Sequence, residues 1–365
     1  MVVRFREDTV NTFPTERRDH FVLTVDTCLQ RLRDMPKAEI HVHLEGATDA
    51  ETSYEIARRN GAPLPVGSLE AWREFFAFKD FPHFIDVYRT STDAIRTPAD
   101  LALMVERFYG NQAALNVAYT ESFVSMSLHL RRLSPGDILS ALEDGAARGR
   151  ALHGVEVAFI ADISRESPET QAAVLDVAIA GRKRDTIIGI GLGGLEAEFP
   201  PHLFAGTYAR ARDAGLHVVA HAGEAAGPQS IRDAVAHLGA ERIGHGVRVI
   251  ESPALMAEMR DRGIPFEVCP QSNYALGIVP PAAPHPIRAM LDAGLHCTVN
   301  SDDPGMFASD LVAEYELLER QGFTWDELWA LNASTLEATF LTDAEKEPHR
   351  AQWAAFAAEF ANGEA

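Results

Sequence analysis

Long apolar runs and paired cysteines are both missing from this chain of 365 residues. No stretch approaches the roughly 18 apolar residues that a membrane-spanning helix needs, so we expect no membrane partner. The three cysteines, Cys28, Cys269 and Cys297, form no CxxC pair, which is typical of a reducing compartment. The segment Met1 to His20 mixes both charges and lacks an apolar core, unlike a signal peptide. We therefore expect a cytoplasmic protein.

Positive charge is also scarce, because 33 Lys and Arg residues stand against 53 Asp and Glu residues, a net charge of −20. Such a surface repels polyanions, so we expect no nucleic-acid partner, although a local cation still allows a small anionic ligand. Apolar residues make up 46% and charged residues 24%, as in ordinary globular proteins. With no linker or low-complexity segment in view, we predict one domain over residues 1–365, with an N-terminal extension at 1–34. The oligomeric state stays open.

Eight short apolar segments alternate with helical ones along the chain. Their β-branched and apolar residues, bounded by glycine, proline or polar residues, predict strands that are buried on both faces. The predicted strands are Glu39–Leu44, Val117–Val124, Val155–Ile163, Thr186–Leu192, His217–His221, Arg242–Gly246, Pro265–Cys269 and His296–Asn300. We favour an α/β fold of the (β/α)8 TIM-barrel type over an open doubly wound sheet, because a barrel brings the ends of the first and last strands together.

Helical segments complete the pattern. We predict helices near Asp26 to Arg33, over Ser134–Arg150 with a start at Pro135, and over Ala205–Gly215. A long helical insert follows strand one, and its aromatic-rich part is either a lid over the barrel mouth or a satellite hydrophobic cluster. From Trp325 onwards we predict C-terminal helices packed on the barrel exterior.

Four polar segments follow predicted strands one, five, six and eight. They read EIHVHLEG (39–46), HAGE (221–224), GHG (244–246) and NSDDP (300–304). His41 and His43 lie two apart on a strand, so their side chains point to the same face, which in a barrel is the interior. Together with His221 and Asp302 they offer three imidazoles and one carboxylate, a set that suits zinc with a further position for water. A lone HxH pair is more often structural, so this prediction depends on the four segments together.

Three further residues are candidates for proton chemistry. Glu224 lies too far past His221 to share the metal comfortably, and a carboxyl beside an apolar pocket acts as a general acid near neutral pH. His245 lies between two glycines, which let the backbone approach a ligand. We assign Asp302 to the metal and its neighbour Asp303 to the water or the substrate. Taken alone, Glu224 would be a charge at a helix start, and the Asp-Asp-Pro segment a turn with a helix cap.

These segments, preceded by Met35-Pro36-Lys37-Ala38, resemble the adenosine deaminase family of the amidohydrolase superfamily. The likeness runs from about Met35 to Phe340 and includes the order and spacing of all four segments. It implies a (β/α)8 barrel with one zinc ion (Zn²⁺) per chain and hydrolytic removal of the 6-amino group of a purine. The metal ligands that it implies are His41, His43, His221 and Asp302.

The resemblance also implies roles for the remaining site residues. Glu224 would donate a proton to purine N1, and His245 would orient or deprotonate the attacking water with Asp303 as its hydrogen-bond partner. The N–H of Gly194 would meet purine N3, and Glu45 would face the sugar. The implied substrate-binding residues are therefore His43, Glu45, Gly194 and Asp303.

Two departures from typical adenosine deaminases bear on the substrate. The chain has HLEG where they have HLDG, and a glycine-rich loop at 191–196 where they have an acidic one. HLEG is similar to adenine deaminases and to the branch that deaminates 6-aminodeoxyfutalosine in menaquinone biosynthesis. Because adenine deaminases usually carry serine at the position of Gly194, we expect a purine nucleoside, with 6-aminodeoxyfutalosine ahead of adenosine. Its benzoate would then need a cation, for which Arg73, Lys79 and Arg248 are candidates.

Other functions stay as alternatives. Adenine deamination is the first. A binuclear amidohydrolase would need a bridging lysine or carboxylate late on strand four, where the chain offers none. A non-catalytic purine-binding protein would not need the full set of acid, base and metal ligands.

Overall fold

A computed structural model describes residues 29–362, except for the side chains of Phe81 and residues 360–362. Within this range, eight parallel strands form one sheet in chain order. They are β1 Lys37–His43, β2 Val117–Val124, β3 Glu156–Ser164, β4 Ile187–Gly193, β5 His217–Ala222, β6 Arg242–His245, β7 Phe266–Val268 and β8 Cys297–Val299. The sheet closes on itself, since the His43 N–H donates to the Asp302 carbonyl at 2.8 Å and the Asp302 N–H to the His41 carbonyl at 3.1 Å. The predicted (β/α)8 barrel is confirmed.

Helices cover the outside of the barrel. Several begin at a side-chain cap or a proline; Thr97 and Thr324, for example, each form a capping box. The helices are α1 Ala50–Arg59, α2 Leu69–Phe76, α3 Phe81–Asp93, α4 Pro98–Ala114, α5 Met126–His129, α6 Pro135–His153, α7 Gln171–Arg182, α8 Ala205–Asp213, α9 Pro228–Asp233, α10 Pro253–Arg262, α11 Pro270–Ala275, α12 Ile287–Asp292, α13 Pro304–Phe307, α14 Leu311–Arg320, α15 Trp325–Ala338 and α16 Asp343–Asn362. Between residues 29 and 362, no helix has the length and apolar character to cross a membrane.

The sequence locates the elements closely and their ends less so. Each predicted strand agrees with the observed one to within two residues at either end. Helix α6 runs past the predicted end at Arg150 to His153, because the left-handed residue that stops it is Gly154. A helix at 29–34 matches the end of the predicted N-terminal helix. The start of that helix, Cys28 and most of the predicted extension lie outside the described residues.

The insert between β1 and β2 forms the four helices α1 to α4. Its aromatic part builds a cluster apart from the main core, made of Trp72, Phe76, Val87 and Met306. The Phe84 and Phe307 rings also stack, with centroids 5.3 Å apart. The insert therefore packs as a satellite cluster against α13, which directly follows the predicted metal-binding segment. It also reaches the end of β2, where the Tyr88 hydroxyl lies 2.7 Å from Ser125 Oγ.

The barrel interior is filled below its C-terminal end. Arg242 of β6 lies between Glu121 of β2 and Glu267 of β7, with an N–O distance of 2.6 Å to each carboxylate. A small apolar cluster lies inside as well, made of Phe123, Ile160 and Val219. Because the interior below is packed with side chains, a site can be built only at the C-terminal ends of the strands. His217 and His296 lie at the opposite end, where His217 contacts Glu241 and His296 contacts the Ser334 carbonyl.

Candidate active site

The four predicted metal-ligating side chains meet at the C-terminal end of the barrel. One ligand atom from each of them lies within 4.8 Å of the others, in the set His41, His43, His221 and Asp302. His43 Nε2 is 3.2 Å from His221 Nε2 and 3.3 Å from Asp302 Oδ1. His41 Nε2 is buried and has no hydrogen-bond partner among residues 29–362. A buried nitrogen without a partner, facing two more imidazoles and a carboxylate, fits a shared divalent cation.

Hydrogen bonds on the outer side of two rings orient these ligands. His41 Nδ1 lies 2.6 Å from Glu267 Oε2, and His221 Nδ1 lies 3.1 Å from a backbone carbonyl of β4. Both partners are acceptors, so Nδ1 carries the hydrogen in each ring and the Nε2 lone pair points to the centre. The Ser272 hydroxyl donates to Asp302 Oδ2 at 2.5 Å. The ligands are therefore held in place by the protein itself.

The electrostatics of the cluster also favour a cation. Burial lowers the pKa of His41 and His43, but the surrounding carboxylates raise them to about 9 and about 10. A second set of residues, which replaces His43 and His221 with His245 and Cys269, satisfies the same distance condition. The Cys269 thiol already donates to the Glu267 carbonyl at 3.6 Å, so its hydrogen has a partner within the protein. The set with three imidazoles is the better one.

Glu224 lies beside this centre, in the loop after β5. Its Oε1 is 3.7 Å from His245 Nε2. Burial, and then the charges of Asp302 and Glu196, raise the pKa of the Glu224 carboxyl to about 8. The loop is held by the Glu196 carboxylate, which accepts three backbone N–H groups between residues 223 and 226 at 2.6, 3.2 and 2.8 Å. A carboxyl that keeps its proton at neutral pH in a fixed loop has the properties of a general acid.

Two residues of the site have strained backbones. His245 and Asp302 have φ angles of 57° and 65°, in the left-handed region, where a non-glycine residue costs about 1–3 kcal/mol. Gly244 leaves room for the His41 ring, since a Cβ at Gly244 would lie 2.7 Å from His41 Cε1. Burial and then the Asp302 charge raise the pKa of Asp303 to about 8. Asp303 Oδ1 finds no hydrogen-bond partner in the described part of the chain.

Glu45 is bound by the protein's own donors. Its carboxylate accepts the Ser125 N–H at 3.0 Å and the Ser125 hydroxyl at 3.2 Å, and lies 2.6 Å from His129 Nε2. Burial acts to raise the pKa of Glu45, but the His129 hydrogen bond lowers it, so the group stays ionised. His129 is therefore a partner of a predicted site residue, although its spacing in the sequence gives no sign of it.

Gly194 has a conformational reason to be glycine. Its φ is +94°, and a Cβ there would overlap the Glu166 carboxylate. Nearby, Asp162 on β3 is 5% exposed, and its Oδ1 has no hydrogen-bond partner within residues 29–362. Burial raises the Asp162 pKa to about 7. Because its backbone conformation alone accounts for a glycine at 194, the residue carries no information about a sugar.

The sequence reasoning missed several residues that support the site. Glu267 is a charged residue in a three-residue buried strand. Because unpaired buried charges are rare, its position in the sequence already indicates a partner inside the barrel. Asp162 lies near the end of a predicted strand, as the recognised residues do. Ser272 gave no local sign of its contact with Asp302. Of the three candidate cations, Arg73 contacts Glu51 and Arg248 contacts Glu251.

A barrel with three histidines and one aspartate at the C-terminal ends of its strands is typical of a metal-dependent hydrolase, which is the class of this protein. The family model described as adenosine deaminase matches residues 36–351. The chain therefore belongs to the adenosine deaminase family, whose members are aminohydrolases.

Similar proteins cover nearly the whole chain. Adenine deaminase from Cupriavidus necator is 36% identical over 328 residues, which are 89% of this chain and 93% of that protein. Adenine deaminase from Streptomyces coelicolor is 37% identical over 318 residues, 86% and 93% respectively. The solved adenine deaminase from Arthrobacter aurescens has a TM-score of 0.83 at 32% identity, covering 88% and 99%. An amidohydrolase from Burkholderia ambifaria with bound zinc has a TM-score of 0.82 at 29% identity, covering 92% and 94%.

These relatives correct the expected substrate. The prediction of a purine nucleoside, with 6-aminodeoxyfutalosine and menaquinone biosynthesis foremost, is wrong, because proteins named adenine deaminases match at 36% and 37% identity. The error came from interpreting Gly194 as a substrate contact. Its φ of +94° favours glycine whatever the ligand.

Proposed function

We propose that this chain hydrolyses the 6-amino group of adenine to give hypoxanthine and ammonia, with one zinc ion per chain. The observation that carries the chemistry is the Glu224 carboxyl, 3.7 Å from His245 Nε2 and beside the four-residue ligand set. The choice of adenine is supported by the relatives named adenine deaminases. Zinc is supported by the donor chemistry of the site and by the zinc-bound relative from Burkholderia ambifaria.

Each residue of the site has a separate role in this reaction. His41, His43, His221 and Asp302 would hold the ion, which supplies Lewis acidity that makes water nucleophilic near neutral pH. Glu224 gives its proton to N1 of the purine, which makes C6 electrophilic. Asp303 Oδ1 is buried and has no other partner among the described residues. It accepts a hydrogen bond from the water and so directs the water oxygen to C6. Water adds at C6 and gives up two protons, one of which restores the Glu224 carboxyl while the other goes to the amino group. The C6–N bond then breaks and ammonia leaves, so adenine and water give hypoxanthine and ammonia.

The contacts of Glu45 support a base without a sugar. Both of its oxygens already accept hydrogen bonds from Ser125 and His129. These bonds account for the buried Glu45 carboxylate without a ribose hydroxyl. Free adenine needs no such contact, so Glu45 acts here as part of the wall of the site.

Substrate preference provides the direct test. Among adenine, adenosine and 6-aminodeoxyfutalosine, we expect adenine to have the highest kcat/KM, by at least about tenfold, because relatives that match over most of the chain are named adenine deaminases. Ammonia release at one pH measures all three with the same purified enzyme. A kcat/KM for either nucleoside equal to that for adenine would contradict the proposed substrate.

Metal content tests the ligand set. Purified enzyme is expected to hold about one zinc per chain. His221→Ala should lower zinc content and adenine deamination together, because it removes one of the three imidazoles that face each other across the centre. His296→Gln, at the opposite end of the barrel, is the control that should leave zinc content unchanged. Two tightly held metals per chain would favour a binuclear amidohydrolase, and wild-type activity without metal would reject the site.

A further inference from the structure

Behind His245 lies a chain of buried hydrogen bonds that ends at the backbone of α12. The Ile287 N–H donates to His285 Nδ1 at 3.1 Å. His285 Nε2 lies 3.1 Å from Asn273 Oδ1, and Asn273 Nδ2 lies 3.2 Å from His245 Nδ1. The three side chains are 2%, 0% and 1% exposed for His285, Asn273 and His245, so water does not compete for these bonds. Together they form a relay from the backbone to His245.

The direction of every bond in this relay follows from its first donor. A backbone N–H can only donate, so His285 Nδ1 accepts and the neutral His285 ring carries its hydrogen on Nε2. That hydrogen needs an acceptor, which places the Asn273 amide oxygen towards His285 and its NH2 group towards His245. His245 Nδ1 therefore accepts, and the hydrogen of the neutral His245 ring lies on Nε2.

The other side of the His245 ring agrees with this assignment. His245 Nε2 lies 3.8 Å from Asp302 Oδ2. The Asp302 carboxylate attracts a nitrogen that carries a hydrogen and repels the lone pair of a bare nitrogen. The same tautomer is favoured from both ends of the ring.

We propose that Asn273 and His285 are positioning residues that hold His245 with its hydrogen on Nε2, so that His245 donates to the oxygen of the attacking water and does not remove its proton. A nitrogen that already carries a hydrogen has no lone pair with which to act as a base. The role for the water oxygen rests on the proposed deamination, whereas the tautomer does not. This chooses between the two roles, orienting or deprotonating, that the family resemblance leaves to His245.

The first test needs no substitution. Nitrogen-15 NMR of the zinc-loaded wild-type enzyme distinguishes protonated from unprotonated imidazole nitrogens, and His245→Gln identifies the His245 signals by their loss. We expect His245 Nδ1 to be unprotonated and Nε2 to be protonated. The opposite pattern would overturn the proposal. Wild-type ammonia release from adenine is measured in parallel, so a failure of the proposed substrate is distinguished from a failure of the relay.

Substitutions then test whether the relay matters for turnover. Asn273→Asp keeps the shape but faces His245 Nδ1 with an oxygen, which favours the hydrogen on Nδ1. We expect kcat for adenine to fall about 10- to 100-fold, with a smaller change in KM and a reversed nitrogen-15 pattern. His285→Phe should lower kcat as well, whereas His285→Gln, which retains an amide donor, should retain more of it.

His296→Gln provides the matched control, because it makes the same substitution at a histidine that contacts a backbone carbonyl at the far end of the barrel. It should leave kcat and the His245 signals unchanged. Wild-type kcat in a folded Asn273→Asp enzyme would show that the tautomer is not needed for turnover and would overturn the proposal.

Discussion

Replacing Glu224 with glutamine is expected to lower kcat for adenine by at least about 100-fold, the usual scale of general acid catalysis, while zinc content stays at the wild-type level. Glutamine has the same shape, and the loop that positions residue 224 is held through backbone N–H groups by Glu196. The substitution therefore removes the acidic proton and little else. Metal analysis and kcat on the same sample measure both effects. Loss of zinc in this variant would instead make Glu224 a metal ligand.

The pH dependence gives a second measure of the same role. Burial raises the pKa of Glu224 to about 8, so the free enzyme keeps the proton below that pH and loses it above. The protonated Glu224 carboxyl is the active form. We therefore expect kcat/KM to be constant through neutral pH and to fall as the pH rises through about 8. Glu224→Gln has no such proton and should lose this alkaline decline. If the variant kept the same decline, another group would be responsible for it.

Much of the architecture could be predicted from the sequence because it depends on local patterns. Apolar runs between turn residues gave eight strands, and a two-residue spacing placed His41 and His43 on one face. The order of the polar segments along the chain then required a closed sheet, in which the Val42–Asp302 bridge joins the first strand to the segment after the last. These features follow from periodicity and from the geometry of a barrel.

The supporting contacts could not be predicted because they join residues far apart in the sequence. His41 and Glu267 are 226 positions apart, and Glu45 and His129 are 84 apart. A single histidine in a strand or a loop looks the same whether its partner is a metal ligand, a carboxylate or a carbonyl. The substrate prediction failed for a related reason. A glycine in the sequence can reflect either a ligand contact or a backbone conformation, and only the observed φ separates the two.

Gly46 shows the same ambiguity at a position where the consequence is large. It closes the first polar segment, and its φ lies outside the left-handed region, so its backbone would accept alanine. A Cβ at Gly46 would overlap the Asp303 carboxylate, which is buried and cannot easily move away. The lack of a side chain at Gly46 is therefore what makes room for Asp303.

We expect Gly46→Ala to lower kcat/KM for adenine about 100-fold, because a displacement of about 1 Å in a positioning group has an effect of that size. Gly206→Ala in α8 is the control, since a Cβ at Gly206 meets nothing within 4 Å and kcat/KM should not change. If Gly46 acts through Asp303, the double variant with Asp303→Asn should be little worse than Asp303→Asn alone, because the two effects are then not independent. Zinc content and Tm show whether each variant is folded and loaded. Full additivity of the two substitutions in a folded, zinc-loaded enzyme would mean that the methyl group disturbs something other than Asp303.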